Sequence, residues 1–221
     1  MKNKIFYTFI VALLLAGCVP DSKTPEPDAV RVEIAERVFK VPIGYFDGAR
    51  ATGKKTESVV LEYALPGFEV LPAHPQERAA RQKLLKEGRM RGMLLENAAK
   101  RPSFDIAVTN LMQLSNFKKE GSVYGLEKYT HIVPKPVRPE PEYAPYHQDD
   151  FFIERNTDGS VKSYLRCSPP GKDKIPGCRH RFIDKGLLYN THWRIQELSR
   201  WQEQRDAAIN FIDSLEVKEG E

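Results

Sequence analysis

Thirteen residues from Pro134 to Tyr146 (PKPVRPEPEYAPY) carry five prolines, and this stretch most constrains how the chain folds. A proline inside a helix or a central strand removes a backbone donor, and its ring clashes with the preceding turn. The segment 134–147 therefore reads as an extended connector dividing the folded part into 30–133 and 148–221. Upstream, Val32, Ile34, Val41, Ile43 and Tyr45 alternate with polar residues, which predicts one or two strands. Ser58 to Leu65 reads as another strand, stopped by Pro66-Gly67, and Gln76 to Glu87 as a polar helix behind Pro75. Met90 to Asn97 fits a strand better than a continuation of that helix, because Gly88 and Gly92 interrupt it. Ile106 to Leu114 is ambiguous between helix and strand, and Val123 to Val133 reads as a single strand.

Downstream of the prolines the signals sharpen. Asp150 to Arg155 and Val161 to Cys167 are strands flanking a turn at Asp158-Gly159. Cys178 to Ile183 and Leu187 to His192 form a second hairpin around Asp184-Lys185-Gly186. From Ile195 to Val217, the residues Leu198, Trp201, Ala208, Ile212 and Leu215, with Ile209 beside them, recur at three-and-four spacing. That apolar stripe predicts a helix packed across the C-terminal sheet. The expected class is α+β: a strand-rich, two-lobed protein with antiparallel sheets.

The amino terminus sets the compartment. Lys2 and Lys4 precede an apolar run from Ile5 to Leu15, followed by Ala16-Gly17-Cys18. The run is shorter than the roughly 20 apolar residues of a spanning helix, which favours a cleaved leader over residues 1–17. The pattern resembles the lipobox of bacterial lipoproteins, in which the cysteine is lipidated and becomes the first mature residue. An ordinary secretory peptide with a chance cysteine is the alternative. Several acyl chains hold a protein durably on a membrane where one is marginal. Val19, in place of the aspartate that retains such lipoproteins in the inner membrane, points to the periplasmic face of the outer membrane. Residues 18–29, rich in proline and charge, read as a flexible tether.

With such a leader removed, the formal charge falls from +4 to +2, which does not suggest nucleic acid as a partner. Once Cys18 is lipidated, only Cys167 and Cys178 remain, flanking a ten-residue loop with Pro169-Pro170-Gly171 and Pro176-Gly177. In an oxidising compartment they read as one disulfide, worth on the order of 3 kcal/mol by loop closure. No CxxC spacing supports a metal instead.

Catalytic patterns are missing. Gly48 to Thr56 approaches a phosphate-binding loop, but Lys55 stands where a magnesium-ligating hydroxyl is required. Gly121-Ser122-Val123-Tyr124-Gly125 carries its serine one place early for a nucleophile elbow. His147 with Asp149 and Asp150 reads as a solvated acidic loop rather than a metal site. His180 reads as a hydrogen-bonded structural histidine, with Arg179 and Arg181 on the opposite face of its strand, and Trp193 and Trp201 as core. No enzyme activity, metal or cofactor is expected.

The layout Phe151-Phe152-Ile153, Asp158-Gly159, Cys167, Ile175-Pro176-Gly177-Cys178, His180-Arg181-Phe182, then a helix with Leu198, Trp201 and Ile212, resembles a known family. It is similar to immunity lipoproteins encoded beside type VI secretion phospholipase effectors, particularly those neutralising phospholipase D-type toxins. Val41-Pro42, Leu65-Pro66-Gly67-Phe68 and Tyr124-Gly125-Leu126 are compatible with it. The resemblance implies a protein partner, the cognate secreted phospholipase, whose active-site cleft the protein covers. Candidate anchors for that partner are Tyr143, Tyr146 and His147 in the connector, and Arg50, Lys54 and Lys55 in the basic turn. Two other classes stay open: an outer-membrane lipoprotein with a structural or assembly role in the envelope, and a hydrolase whose site is assembled from scattered residues.

The leader carries its own test. Cys18→Ala is expected to abolish acylation and membrane fractionation, and palmitate labelling that persists in this variant would contradict the lipobox.

Overall fold

In the computed structural model, residues 29–46, 55–72, 77–113, 117–132, 149–168 and 176–217 are described. Strands β1 (Ala29–Ile34) and β2 (Arg37–Pro42) form a hairpin in which Ile34 pairs with Arg37, so only Ala35 and Glu36 make the turn. Both turn residues have positive φ, 52° and 64°, the geometry that matches the twist of the flanking strands. An Ala-Glu turn gives no Asn-Gly signal, which is why the sequence left one strand or two open. The same chemistry explains a difference further on. Val123 to Val133 is not one strand, because Tyr124 and Gly125, at φ 53° and 80°, turn the chain between β5 (Phe117–Val123) and β6 (Leu126–His131). Tyrosine is an unusual left-handed residue, and it hides the turn.

The other strands are β3 (Ser58–Ala64), β4 (Met90–Asn97), β7 (Asp150–Arg155), β8 (Val161–Cys167), β9 (Gly177–Asp184) and β10 (Leu187–Arg194). All but β1 and β2 join one antiparallel sheet ordered β3-β4-β10-β9-β8-β7-β6-β5. The chain makes the β3-β4 hairpin, crosses to the far edge at β5, then meanders back until β10 slots beside β4. The α+β class with antiparallel sheets holds. The segments on the two sides of 134–147 meet within this sheet, where β6 pairs with β7 and β4 with β10. The proline-rich segment itself, the leader and the tether lie outside the described residues.

One face of the sheet is covered by the β1-β2 hairpin and the C-terminal helix. Residues Ile195–Arg200 form a 3-10 turn rather than the start of the expected continuous helix, and α3 runs over Trp201–Leu215. The Glu197 carboxylate accepts the Arg194 backbone N–H at 3.0 Å, closing this entry turn. Near its start α3 buries Trp201 with Leu126, Phe152, Leu165 and Trp193. Further along, Ala208 and Ile212 pack with Val32, Ile34, Phe39, Leu61 and Tyr189. The helix thus lies on the sheet as its stripe implies, and also clamps the amino-terminal hairpin.

A charge cluster fastens that hairpin to the helix end. The Arg37 guanidinium, with its side chain 11% exposed, donates from Nε and Nη2 to the Glu216 carboxylate at 2.8 and 2.7 Å. It also donates to Asp213 at 2.8 Å, while Lys185 donates to the second Asp213 oxygen at 2.7 Å. The hydrogen bonds from Arg37 hold Glu216 below its ordinary range. Partial burial opposes the same effect at Asp213, but the bonds from Lys185 and Arg37 outweigh it.

The opposite face is covered over only part of its width. The ambiguous stretch is helix α2 (Phe104–Gln113), and Phe104 and Val108 pack on Phe151, Ile153, Tyr164 and Leu188. Leu111 and Met112 continue the same helical stripe. Asp105 ties α2 to the sheet by accepting the Val161 N–H at 2.9 Å.

His180 departs from expectation. It is buried beneath α3 among Trp193, Phe182 and Trp201, with ring centroids 4.7, 4.8 and 5.8 Å away. Neither ring nitrogen has a hydrogen-bond partner among the described residues. The surrounding rings pack against it by face and edge, and the Trp201 indole N–H is given to the Tyr124 carbonyl, so the expected hydrogen-bonded histidine is instead a space-filling ring. Burial, with the charge of Arg205, pushes its pKa well below the ordinary 6.5. The unfolded chain therefore takes up a proton that the folded one refuses. Stability is retained above pH 6.5 and lost as the pH falls below it, by up to about 1.4 kcal/mol per pH unit. His180→Phe is expected to fold without loss at pH 7 and to show a smaller fall in urea midpoint between pH 7 and pH 5. An unchanged pH profile would contradict this account.

Candidate functional site

Beyond α2, the described residues leave part of the second face of the sheet uncovered, and its floor is polar. Alternation in β9 and β10 turns Cys178, His180, Phe182, Tyr189, Thr191 and Trp193 toward the α3 side. By the same period of two, Arg179, Arg181, Asn190, His192 and Arg194 face the other way. Strand register lines several of these up in a row. Arg166 on β8 pairs with Arg179 on β9, which pairs with His192 on β10; Gly92 on β4 follows and pairs with Glu62 on β3. A cavity of about 560 Å³ lies over this row. Asp149 and Arg166 bound one end, Glu62 and Gly92 the other, and Leu85 and Gly88 stand above.

Each wall has a local cause. Helix α1 (Arg78–Lys86) ends where Gly88 adopts φ +63°, with the Gly88 N–H donating to Leu85 and the Arg89 N–H to Leu84 at 3.0 and 2.9 Å. This is the paired hydrogen-bond arrangement that a left-handed residue makes possible after a helix. Glycine is needed twice over. A Cβ there would sit 1.6 Å from an Arg194 guanidinium nitrogen, and Arg194 donates to the Glu87 carbonyl at 2.7 Å across the same gap. Gly92 keeps the floor deep: a Cβ built on it meets only the Leu61 carbonyl, at 4.0 Å. Cys167 and Cys178, facing residues on β8 and β9, are joined with their sulfurs 2.08 Å apart, at the sheet end that carries Arg166 and Arg179.

The electrostatics are uneven. Glu62 is held by Arg81 at 2.5 Å and Asp149 by Arg166 at 2.7 Å. Arg179 instead donates from Nε to His192 Nε2 at 3.1 Å, which requires that nitrogen to be unprotonated. Burial, with the charges of Arg179 and Arg91, pushes His192 below its ordinary pKa, so the acceptor form dominates at neutral pH. Next to the row, buried Glu96 is paired with Arg101 and lies 3.9 Å from Arg181, marking the border with α2. No group of three or more metal-ligating side chains occurs among the described residues, and none of their helices is long and apolar enough to cross a membrane.

Of the residues singled out from the sequence, Lys55, Cys167 and Cys178 are described, and Cys178 lines the cavity. Cys18, Tyr143, Tyr146, His147, Arg50 and Lys54 fall outside the described residues. Lys55 is described: it is exposed, 3.2 Å from Glu33 at the β1-β3 end of the molecule, and does not line the cavity. The row of Arg166, Arg179 and His192 was missed. Alternation in β9 signalled its orientation, but residues on three strands become neighbours only through the strand order.

Comparison with protein-family models and with curated proteins gives no match. Among solved structures, the chain is similar to Smlt3025, an immunity protein of the Stenotrophomonas maltophilia type IV secretion system. The identity is 18%, over 86% of this chain and 94% of that one, with a TM-score of 0.61. At 15% identity it also matches the iron-regulated outer membrane lipoprotein FrpD of Neisseria meningitidis, over 86% of this chain and 92% of that one, with a TM-score of 0.48. At such identities the likeness to the immunity protein is one of fold.

The two glycines of the cavity predict opposite outcomes. Gly88→Ala is expected to cost about 1–2 kcal/mol for left-handed backbone alone and to expel Arg194 from its place, whereas Gly92→Ala is expected to be nearly neutral. Urea unfolding of both variants measures the contrast, and equal midpoints would contradict the assigned roles.

Proposed function

We propose that the chain is an immunity protein of the cell envelope that neutralises a secreted effector by stoichiometric binding. The observation that carries this reading is a fold shared, over nearly the whole length of both chains, with a protein described as an immunity protein. Three further observations support it. The sequence offers no catalytic constellation, and the half-covered face gathers charged groups of which Arg179 and Arg194 have no carboxylate partner among the described residues. That face is rigid sheet rather than loop, which lowers the ordering cost of association. The lipobox at Cys18 would hold the protein on the periplasmic face of the outer membrane, in the path of an effector delivered from outside.

The partner we favour is a phospholipase, of the phospholipase D type, delivered by a type VI system, in keeping with the motif resemblance between Phe151 and Ile212. The structurally similar immunity protein belongs to a type IV system, so fold and delivery route are separable features. Inhibition by covering the active-site cleft calls for an interface on the order of 1,200–2,000 Å² with a few strong anchors. Tyr143, Tyr146, His147, Arg50, Lys54 and Lys55 remain candidates for its periphery.

The test is reconstitution with the product of the adjacent effector gene. Lipase activity titrated with this protein is expected to fall to zero near one equivalent, with a 1:1 complex in solution. Absence of a complex, or lipid hydrolysis by this chain alone, would overturn the reading.

A further inference from the structure

Pairing within the cavity leaves an imbalance of charge. Glu62 and Asp149 are each matched by an arginine, Arg81 and Arg166. Arg179 and Arg194 have no carboxylate within ion-pair distance among the described residues; their recorded acceptors are a neutral imidazole nitrogen and a backbone carbonyl. Arg179 gives its Nε to His192, and among the described residues its Nη groups have no hydrogen-bond acceptor, which leaves them for an incoming one. Two guanidinium charges beside partly apolar walls favour an anionic occupant. The volume, about 560 Å³, suits the tip of a loop rather than a lone ion. The rim adds an apolar element. Leu85, 58% exposed, lines the cavity from the α1 side, and Val60, 53% exposed, lies just outside the lining on the face of β3 that Glu62 shares. A free phosphate or a lipid headgroup would satisfy the cations and leave these aliphatic side chains uncovered. A protein loop covers both, with the charged anchor and apolar surround usual for interface hot spots.

We infer that this cavity receives an acidic side chain, Asp or Glu, on a protruding loop of the effector, with Arg179 as its counter-ion and Val60 and Leu85 against the loop's apolar residues. The inference rests on the immunity reading and names the surface through which it operates. Arg194 adds a second positive charge from the β10 end. The bare floor at Gly92 gives the loop its depth.

Affinity of the full chain for the purified product of the adjacent effector gene, measured by biolayer interferometry, tests this. Arg179→Gln and the floor-filling Gly92→Leu are each expected to weaken binding roughly 30-fold or more, the range of hot-spot truncation. Arg200→Gln, in an exposed pair with Glu203 on the α3 side, is expected to stay within about 2-fold of the parent. Reversal of the matching effector acid to arginine should restore binding to Arg179→Glu. Thermal melts establish that each variant is folded, and if one is not, the other carries the test. Parent-like affinity in folded Arg179→Gln or Gly92→Leu overturns the inference while leaving the immunity reading intact. So does Arg179-dependent binding to phosphatidylglycerol vesicles with effector binding unaffected, which would assign the cavity to a headgroup. Failure of the parent chain itself to bind the effector removes the immunity reading and the inference together.

Discussion

The pairing of β10 with β4 is the contact on which the rest of the molecule depends. It runs from Leu187 opposite Asn97 to Thr191 opposite Met93, and among the described residues it is the only strand pairing that joins the β3-β4 hairpin to the six-stranded meander. Without it the sheet is two pieces, and α3 has no continuous surface to cover. From Leu187 to Thr191, the residues flanking β10 come from β9, close in sequence, and from β4, some ninety residues away. Such long-range closure is slow to form, because loop entropy is lost before the contacts reward it. Once formed, β10 is covered on both sides, with Leu187, Tyr189 and Trp193 toward α3 and Leu188 toward α2.

The site inherits this dependence. Arg179, His192 and Gly92 sit on β9, β10 and β4, so the cavity floor exists only when the closing pair is made. The unequal covering of the faces then decides where the protein can act. The α3 side carries the larger apolar clusters and the Arg37 network, and is sealed by a helix of fifteen residues. Among the described residues, the other side is covered by α2 over β7, β8 and Leu188 of β10, and the end of α1 stands beside the cavity, where Arg179, His192 and Arg194 line the remaining width. A disulfide at the end of β8 and β9 limits the freedom of the strands carrying Arg166 and Arg179. Preorganisation of this kind lowers the ordering cost of binding a partner.

Much of the fold could be read from local chemistry. Strands β3, β4, β7, β8, β9 and β10, helix α1 and the apolar stripe of α3 were all visible in alternation, turn residues and periodicity, because each signal lies within about ten residues. Two turns hid behind residues that rarely take positive φ, Ala35-Glu36 and Tyr124. The α2 stretch stayed ambiguous because Phe104, Val108, Leu111 and Met112 form a stripe too short to separate from a strand of mixed character. The 3-10 entry to α3 depends on a single Glu197 bond that periodicity cannot register. His180 was misjudged for a different reason: an alternating pattern shows that a residue points inward, not whether a hydrogen-bond partner waits there. The candidate site was the least legible. Its residues come from positions 62, 88, 92, 166, 179 and 192, and only the order of strands in the sheet brings them together.

The central claim is that the half-open sheet face, not the helix-covered one, is where this protein meets its effector. Hydrogen–deuterium exchange of the free chain against its complex with the adjacent gene's product measures this directly. The account predicts slowed exchange in 88–92, 176–181 and 190–194, with α3 unchanged. Protection confined to α3 and the β1-β2 hairpin, with the cavity strands unaffected, would contradict it.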